Sequence, residues 1–164
     1  MQLAKIFLFR KRDEEEMLTV FDVADFFLTK ESMTHKKLQK LCYYAYAWYY
    51  TLYNERLFPN RFEAWIHGPV YPDLYHEYKA YGWQEIEKKE RHGIDNEKVL
   101  DLLERVYATY GEFDGDQLEI LTHREQPWIQ ARQGVPEYEP SNNPIRDEVI
   151  KQYYLSLYEK GQND

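Results

Sequence analysis

The sequence predicts a mainly α-helical fold, a compact single-domain bundle of about six to seven helices with a small β element. Apolar residues recur at steps of three and four in several segments, capping residues precede these segments, and glycine or proline separates them. The chain has 164 residues, of which 17% are aromatic. This length and composition exclude a disordered chain and are sufficient for one buried core.

The N-terminal residues 1–16 are predicted to be an extension to a domain spanning 17–160, with 161–164 as a tail. Leu3–Phe9 alternates enough for a short edge strand, and the charged run Arg10–Glu16 is typical of a solvated connector. The apolar run precedes its basic cluster, which is the opposite order to a secretory signal, and no run is long enough to span a bilayer. We therefore expect a cytoplasmic protein without membrane contact.

Two helices are predicted next. Thr19 is suited to cap the first, with Asp22 three residues on supporting its N-terminus. The second is longer, capped by Ser32 or Thr34, and runs to about Asn54.

The second helix carries two stripes at helical spacing. One stripe is apolar: Leu38, Leu41, Ala45, Trp48 and Leu52. The other consists of tyrosines: Tyr43, Tyr46, Tyr50 and Tyr53. A helix that is apolar on most sides is usually central, so we favour both stripes as core, with the tyrosine hydroxyls bonded at its periphery. The alternative is that the tyrosine stripe is partly exposed and contacts a partner.

A loop then leads to a short strand at 62–66, and HGPVYP, residues 67–72, punctuates the chain. Pro72 fits the first position of a helix that Gly82 ends. The polar residues 83–92 could pair with the strand at 62–66, so the small β element is expected near 62–66 and 83–90.

The C-terminal half predicts more helices. Asp95 is expected to cap the most regular amphipathic helix, closed by Gly111, and a short helix follows Asp114. Thr122 is expected to cap the next helix, which carries Pro127 early. Residues 135–144 form a loop. Asn143-Pro144 opens the last helix, whose predicted core face is Ile145, Val149, Tyr153 and Leu157, with Gly161 ending it.

Motifs for catalysis or metal binding are not recognisable. The sequence lacks the HExxH motif of zinc proteases, the glycine-rich loops that bind phosphate and the GxSxG motif of serine hydrolases. Asp73 and His76 could supply two metal ligands, which is too few for a metal site. The single cysteine, Cys42, lies mid-helix and is expected to be an inert hydrophobe. We therefore predict no enzyme activity, no metal and no cofactor. The three lysines of HKKLQK, 35–40, are expected to keep their charged heads in water.

Four stretches match a known family together and in order: VFDVADFFL (20–28), THKKLQKLCYYAYAWYY (34–50), FEAWIHGPVYPDLYHEYKAYG (62–82) and LTHREQPWIQAR (121–132). KLQKL, AWxxGPV and THxxxPWxxAR are the most specific parts. Over residues 20 to about 155 the chain resembles the Panacea domain family of phage-associated bacterial proteins.

This resemblance implies an antitoxin of a toxin–antitoxin system. Such a domain would neutralise a co-encoded cognate protein toxin by direct protein–protein binding, without enzymatic activity. Blocking an active site, trapping an inactive conformation and promoting degradation are all open as modes of neutralisation. Outside the resemblance no DNA-binding domain is recognisable, so autoregulation by DNA binding is not expected. The residues do not specify an oligomeric state.

Ten residues are candidates for the partner-binding site: Tyr43, Tyr46, Tyr50, Tyr53, Trp65, His67, Tyr71, His123, Trp128 and Arg132. For the motif residues among them we favour an architectural role, with Arg132 bonded either to a buried carboxylate or to backbone carbonyls. Two other function classes are kept. A nucleic-acid-binding regulator of a mobile element needs a segregated positive face despite the net charge of -8. An enzyme needs His67, His123 and Arg132 to converge in one pocket.

Overall fold

The computed structural model describes residues 17–163, and this part of the chain contains seven α-helices and a two-stranded antiparallel hairpin. The helices are α1 (Val20–Lys30), α2 (His35–Tyr53), α3 (Pro72–Tyr78), α4 (Glu97–Tyr110), α5 (Gly115–His123), α6 (Gln126–Ala131) and α7 (Asp147–Asn163). The strands are β1 (Glu63–Trp65) and β2 (Gly68–Val70), and a short 3₁₀ helix, Lys79–Tyr81, follows α3. The predicted mainly helical fold class with a small β element is confirmed.

Two predictions fall on residues that the structure does not describe. These are the edge strand Leu3–Phe9 and the connector Arg10–Glu16. Among the described helices, none combines the length and apolar character that crossing a membrane requires.

The longest helix, α2, is the central element of the fold. It contacts α1, α3, α4, α5, α7 and β2. All residues from 37 to 47 are buried, so the helix is enclosed on every side over three turns. Its last turn emerges from the core, where Leu52 is 41% and Tyr53 36% exposed. The prediction of a central helix is therefore confirmed for all but the C-terminal end.

Helix caps lie at or next to the predicted positions. Thr19 and Asp22 exchange side-chain and backbone hydrogen bonds at the start of α1, which forms a capping box. Thr34 caps α2. The cap of α4 is Asn96, one residue after the predicted Asp95. Its side-chain oxygen accepts a hydrogen bond from the backbone N–H of Val99, which has no partner within the helix.

The buried tyrosines of α2 bond through their hydroxyls to groups from distant segments. The Tyr44 hydroxyl donates to Glu125 Oε1 at 2.7 Å, and the Tyr154 hydroxyl donates to the same oxygen at 2.9 Å. The hydroxyls of Tyr43 and Tyr154 are 3.1 Å apart. The Tyr46 hydroxyl donates to a buried aspartate on α7 at 2.6 Å. These bonds confirm the core interpretation for Tyr43 and Tyr46, since buried polar tips need partners.

We expect Glu125 to make the protein less stable as the pH rises from about 4.5 to about 7. Burial raises the pKa of this carboxyl to about 7, although the hydroxyls of Tyr44 and Tyr154 oppose the shift. A raised carboxyl pKa means that the folded state favours the protonated form. The resulting stabilisation is complete below the unfolded pKa and is lost as the pH rises through the folded one. At about 1.4 kcal/mol per pKa unit, the loss is about 3 kcal/mol.

The test is urea unfolding of the wild type and of Glu125→Gln between pH 4.5 and 8. The amide keeps an acceptor but does not titrate, so the stability gap between the two proteins should narrow or reverse as the pH rises. Glu159→Gln, at an exposed position of α7, is the control and should run parallel to the wild type. Parallel profiles for Glu125→Gln as well would contradict the prediction.

The strand β1 has a different partner from the predicted one. It pairs with β2 across a two-residue turn at Ile66-His67, which places Trp65 opposite Gly68. The stretch HGPV, predicted as punctuation, therefore supplies a strand. Pro69 is compatible with this strand because β2 is paired on one side only, with β1. The other edge of β1 forms a bridge between Glu63 and Pro144.

The predicted pairing of residues 83–92 with β1 is wrong. Ile86 instead forms an isolated antiparallel bridge with Met33, between α1 and α2, through two backbone hydrogen bonds. Ile86 is the apolar residue among charges in this segment, and it is 2% exposed. Its burial fixes the position of the segment.

Thr122 lies in the last turn of α5 and does not begin α6, so the predicted cap is wrong. Its hydroxyl donates to the carbonyl of Glu119 at 2.9 Å. The capping box at Asp114 starts α5 early enough for the helix to include Thr122. Helix α6 follows separately, with Pro127 in its first turn as predicted.

The last helix begins at Asp147, so Ile145 is buried ahead of it and does not set its phase. The core face carries Ile150 and Tyr154. The predicted face is shifted by one position: Val149 and Tyr153 are half-buried and Leu157 is 40% exposed. Gly161 lies inside the helix and does not end it.

Candidate functional site

Three stretches that are far apart in sequence meet at the β1–β2 hairpin: KLQKL on α2, AWxxGPV in the hairpin itself, and THxxxPWxxAR on α5 and α6. The Trp128 indole donates to the carbonyl of Trp65 at 2.8 Å. Arg132 Nη1 donates to the carbonyl of Ala64 at 3.1 Å. Arg132 was expected to bond either to a buried carboxylate or to backbone carbonyls, and the structure shows backbone carbonyls. The third stretch therefore fixes the hairpin against the helices.

Gly68 allows the side chain of Lys40 to pass against the hairpin. Its φ of +111° is a backbone conformation that L-residues rarely adopt. A Cβ at this position would lie 2.5 Å from Lys40 Cε and 2.9 Å from Thr122 Oγ1. Gly68 of AWxxGPV thus leaves space for Lys40 of KLQKL and for Thr122 of THxxxPWxxAR.

Lys40 is a buried charge with incomplete hydrogen bonding. It is 1% exposed, and its Nζ donates to the carbonyl of Pro69 at 3.4 Å. An ammonium has three donors, so this single long bond does not satisfy it. Burial, together with the positive charge of Lys36, lowers the pKa of Lys40 to about 7, although the negative charge of Glu119 opposes the shift.

The expectation that all three lysines of HKKLQK keep their heads in water is wrong. Besides Lys40, Lys37 is 8% exposed, and its Nζ donates to Glu31 at 2.8 Å and to the carbonyl of Gly111 at 2.6 Å. The contrast is informative, because Lys37 has a carboxylate partner and Lys40 is bonded to one carbonyl.

A cleft of about 790 Å³ opens between the N-terminal half of α2, the hairpin and the end of α3. Its basic and imidazole lining residues are His35, Lys36, Lys40, His67 and Lys79. Its aromatic lining residues are Trp65, Tyr75 and Trp83. Residues 140–142 of the loop before α7 complete the wall. No aspartate or glutamate is among the lining residues that the structure describes.

Carboxylates lie beside the cleft but are already engaged. Lys36 Nζ is 2.6 Å from Asp116 and 3.3 Å from Glu119. His67 Nδ1 is 2.6 Å from the same oxygen of Glu119. A regulator that binds nucleic acid would need an open positive face. Here one cation is buried, another is paired with two acids, and the surface is concave, so the arrangement does not favour that hypothesis.

The ten candidate residues differ in accessibility. Tyr43, Tyr46, Tyr71, Trp128 and Arg132 are buried. Tyr50, Trp65 and His123 are half-buried, and Tyr53 and His67 are exposed. Trp65 and His67 line the cleft. Tyr50 and Tyr53 lie at the other end of α2, about 15–20 Å from Lys40 at the rise of an α-helix. The Lys98 ammonium lies 4.3 Å from the ring centroid of Tyr53.

The enzyme hypothesis gains no support from the geometry. The cleft is lined by His67 but not by His123 or Arg132. The His123 ring stacks on the Trp128 ring with 3.9 Å between the two ring centroids. Burial lowers the pKa of His123. Burial and the negative charge of Asp25 raise the pKa of the Cys42 thiol, which disfavours a nucleophilic thiolate. Within residues 17–163, no group of three or more His, Cys, Asp or Glu side chains could hold a metal ion.

Sequence reasoning missed Lys40, His35, Tyr75 and Trp83 as site residues. For Lys40 the sequence gave a partial signal, because a helix that is apolar on most sides leaves little polar face for three lysines. For Trp83, which is 81% exposed, the polar surroundings gave no indication that it borders a cleft.

A family model described as "Antitoxin SocA-like, Panacea domain" matches residues 38–129, more than half of the 164-residue chain. The match includes Lys40, the whole hairpin, Trp83 and Trp128. Searches of curated proteins and of solved structures return no significant match.

Proposed function

Because the chain belongs to the family of SocA-like antitoxins with a Panacea domain, we propose that it is an antitoxin that neutralises a co-encoded protein toxin by direct binding. The family match is the observation that carries this proposal. The proposed activity is non-enzymatic and needs no cofactor.

Two features of the described residues are in keeping with a binding role. The first is a preformed concave surface rich in aromatic side chains, which is typical of the centres of protein interfaces. The second is that its walls come from a helix and a hairpin held by buried hydrogen bonds, so little ordering is needed when a partner docks.

The test is a growth assay with the product of the neighbouring reading frame. We expect this product to arrest growth when it is expressed alone from a tight promoter, and expect co-expression of the present chain to restore growth. The two purified proteins should also form a complex on size exclusion. Lack of arrest, or arrest without rescue, would contradict the proposed function. Rescue without a complex would contradict neutralisation by direct binding.

A further inference from the structure

The wall of the cleft is positive in a protein that is negative overall. The chain has a formal net charge of -8. Of the three lysines and two histidines that line the cleft, Lys36 and His67 are bonded to carboxylates just outside it. Lys40 and Lys79 are the lining lysines without an ion pair among the described residues. Opposite charges on facing surfaces favour and orient association. The cleft is therefore complementary to an anionic group on whatever enters it.

Two polar atoms in this wall lack adequate partners. Lys40 Nζ has the one bond to Pro69 at 3.4 Å. His35 Nδ1 is buried and has no hydrogen-bond partner among the described residues. The Glu119 carboxylate acts on Lys40 through space but is hydrogen-bonded to His67 and Lys36 instead. Buried polar groups that remain unsatisfied are unfavourable, and Lys40 Nζ is a donor to which a bound group can supply an acceptor.

The rim of the cleft offers apolar contact next to the charge. The rings of Trp65 and Tyr75 are 4.9 Å apart in an edge-on arrangement. Trp83, at the mouth, is 81% exposed. Aromatic side chains around a desolvated charge are the usual composition of binding hot spots, because they exclude water from the charged contact.

We propose that this cleft is the docking site for a segment of the neutralised protein that places an acidic side chain on Lys40 and an apolar side chain against Trp83. The proposal rests on the proposed function, because it takes the toxin as the source of the segment. The volume of about 790 Å³ is larger than one side chain needs and suits a segment of a few residues. A carboxylate supplies the missing acceptor for the Lys40 ammonium.

The experiment compares Lys40→Met and Trp83→Ala with the wild type in binding to the purified neighbouring product and in growth rescue. Methionine keeps the length of the lysine stem, and removing an unpaired buried charge favours the folded state. We expect Lys40→Met to melt at or above the wild-type temperature while its affinity falls at least tenfold. Trp83→Ala should also bind at least tenfold more weakly.

Matched controls separate the cleft from general effects of charge and surface. Lys160→Met removes an exposed lysine from α7, and Tyr138→Ala removes an aromatic ring that is 80% exposed, close to the 81% of Trp83. Both should bind within twofold of the wild type. Wild-type affinity of Lys40→Met and Trp83→Ala, with rescue intact, would overturn the docking site and leave the antitoxin function standing.

A peptide titration tests the cleft without the toxin. The probe is a short peptide blocked at both ends that contains Phe-Glu, and its Phe-Gln counterpart is the comparison. NMR should show the indole N–H signals of Trp65 and Trp83 moving with Phe-Glu but not with Phe-Gln. The Trp48 signal should stay in place, since Trp48 is not among the residues that line the cleft. Lys40→Met should abolish the movement.

Each outcome of the titration is decisive. A response to Phe-Glu alone supports the docking site even if the neighbouring product proves not to be the partner. An equal response to both peptides, or no response to either, overturns the role of the carboxylate. A response to inorganic phosphate without one to Phe-Glu overturns the peptide occupant in favour of a small phosphate ligand.

Discussion

Replacing Arg132 with methionine is expected to lower the free energy of unfolding by about 3 kcal/mol, since a buried acceptor left without its donor loses about 1–3 kcal/mol. Arg132 is 2% exposed and donates to three carbonyls: Ala64 in β1, Pro136 at 2.7 Å, and Glu139. Methionine fills similar volume but supplies no donor. The change therefore removes the side-chain link between β1 and the loop that leads to α7, while the backbone hydrogen bond from Ala64 to the Asn143 carbonyl remains.

The partners of Arg132 explain why a lysine would not replace it. The planar guanidinium reaches carbonyls in two directions at once, and it also lies over the Trp128 ring with its Cζ 4.9 Å from the ring centroid. A single ammonium cannot form all of these contacts. We expect Arg132→Lys to recover less than half of the lost stability.

Urea unfolding of both variants provides the measurement, with Arg124→Met as the matched control. Arg124 is exposed at the end of α5, and surface substitutions of this kind usually change stability by less than about 0.5 kcal/mol. If Arg132→Met were as stable as Arg124→Met, the three carbonyls would have to find water or other donors, and the architectural role of THxxxPWxxAR would be wrong.

Local rules predicted the features that depend on a few neighbouring residues. Thr19, Thr34 and Pro127 act at helix starts because capping and proline geometry need only the adjacent backbone. The central position of α2 followed from apolar residues on most of its faces. The tyrosine stripe was predictable as core up to Tyr46, but the point where the helix leaves the core depends on the length of its neighbours.

Features that depend on distant pairing were not predictable in the same way. A three-residue strand such as β2 is too short to show alternation, and its turn at Ile66-His67 lacks the Asn-Gly or Asp-Gly signal of tight hairpins. The phase of α7 was misassigned because Ile145 is buried without being helical. The cleft was missed for the same reason, since its walls come from segments that are more than 100 residues apart, from His35 to Asn142.

The burial of Lys40 illustrates this most clearly. A lysine near a helix start is expected to reach water, and only the close approach of the hairpin overrides that expectation. The approach in turn depends on one glycine, because any Cβ at position 68 would meet the lysine stem. The burial of the Lys40 ammonium therefore depends on the absence of a side chain at Gly68.

This coupling predicts that Gly68→Ala destabilises the protein by about 4 kcal/mol. Alanine must adopt a φ near +111°, which costs about 1–3 kcal/mol. Its Cβ also lies 2.5 Å from Lys40 Cε and 2.9 Å from Thr122 Oγ1, and overpacking of this kind costs about 1–3 kcal/mol. Gly134→Ala is the control for strain alone, because Gly134 has a φ of +80° and a Cβ added there would have no atom within 4 Å. It should lose only about 1 kcal/mol.

A double-mutant cycle with Lys40→Ala separates the two contributions. Truncating the lysine removes the atoms that the new Cβ would meet, so Gly68→Ala should be less damaging in that background by about 1–3 kcal/mol. Urea unfolding of the four proteins gives this coupling energy. A coupling near zero would assign the whole effect to backbone strain and to the contact with Thr122, and would contradict the close approach of Lys40. A large coupling would establish that this glycine is required because a buried ammonium passes beneath the hairpin, where the proposed acidic side chain would reach it.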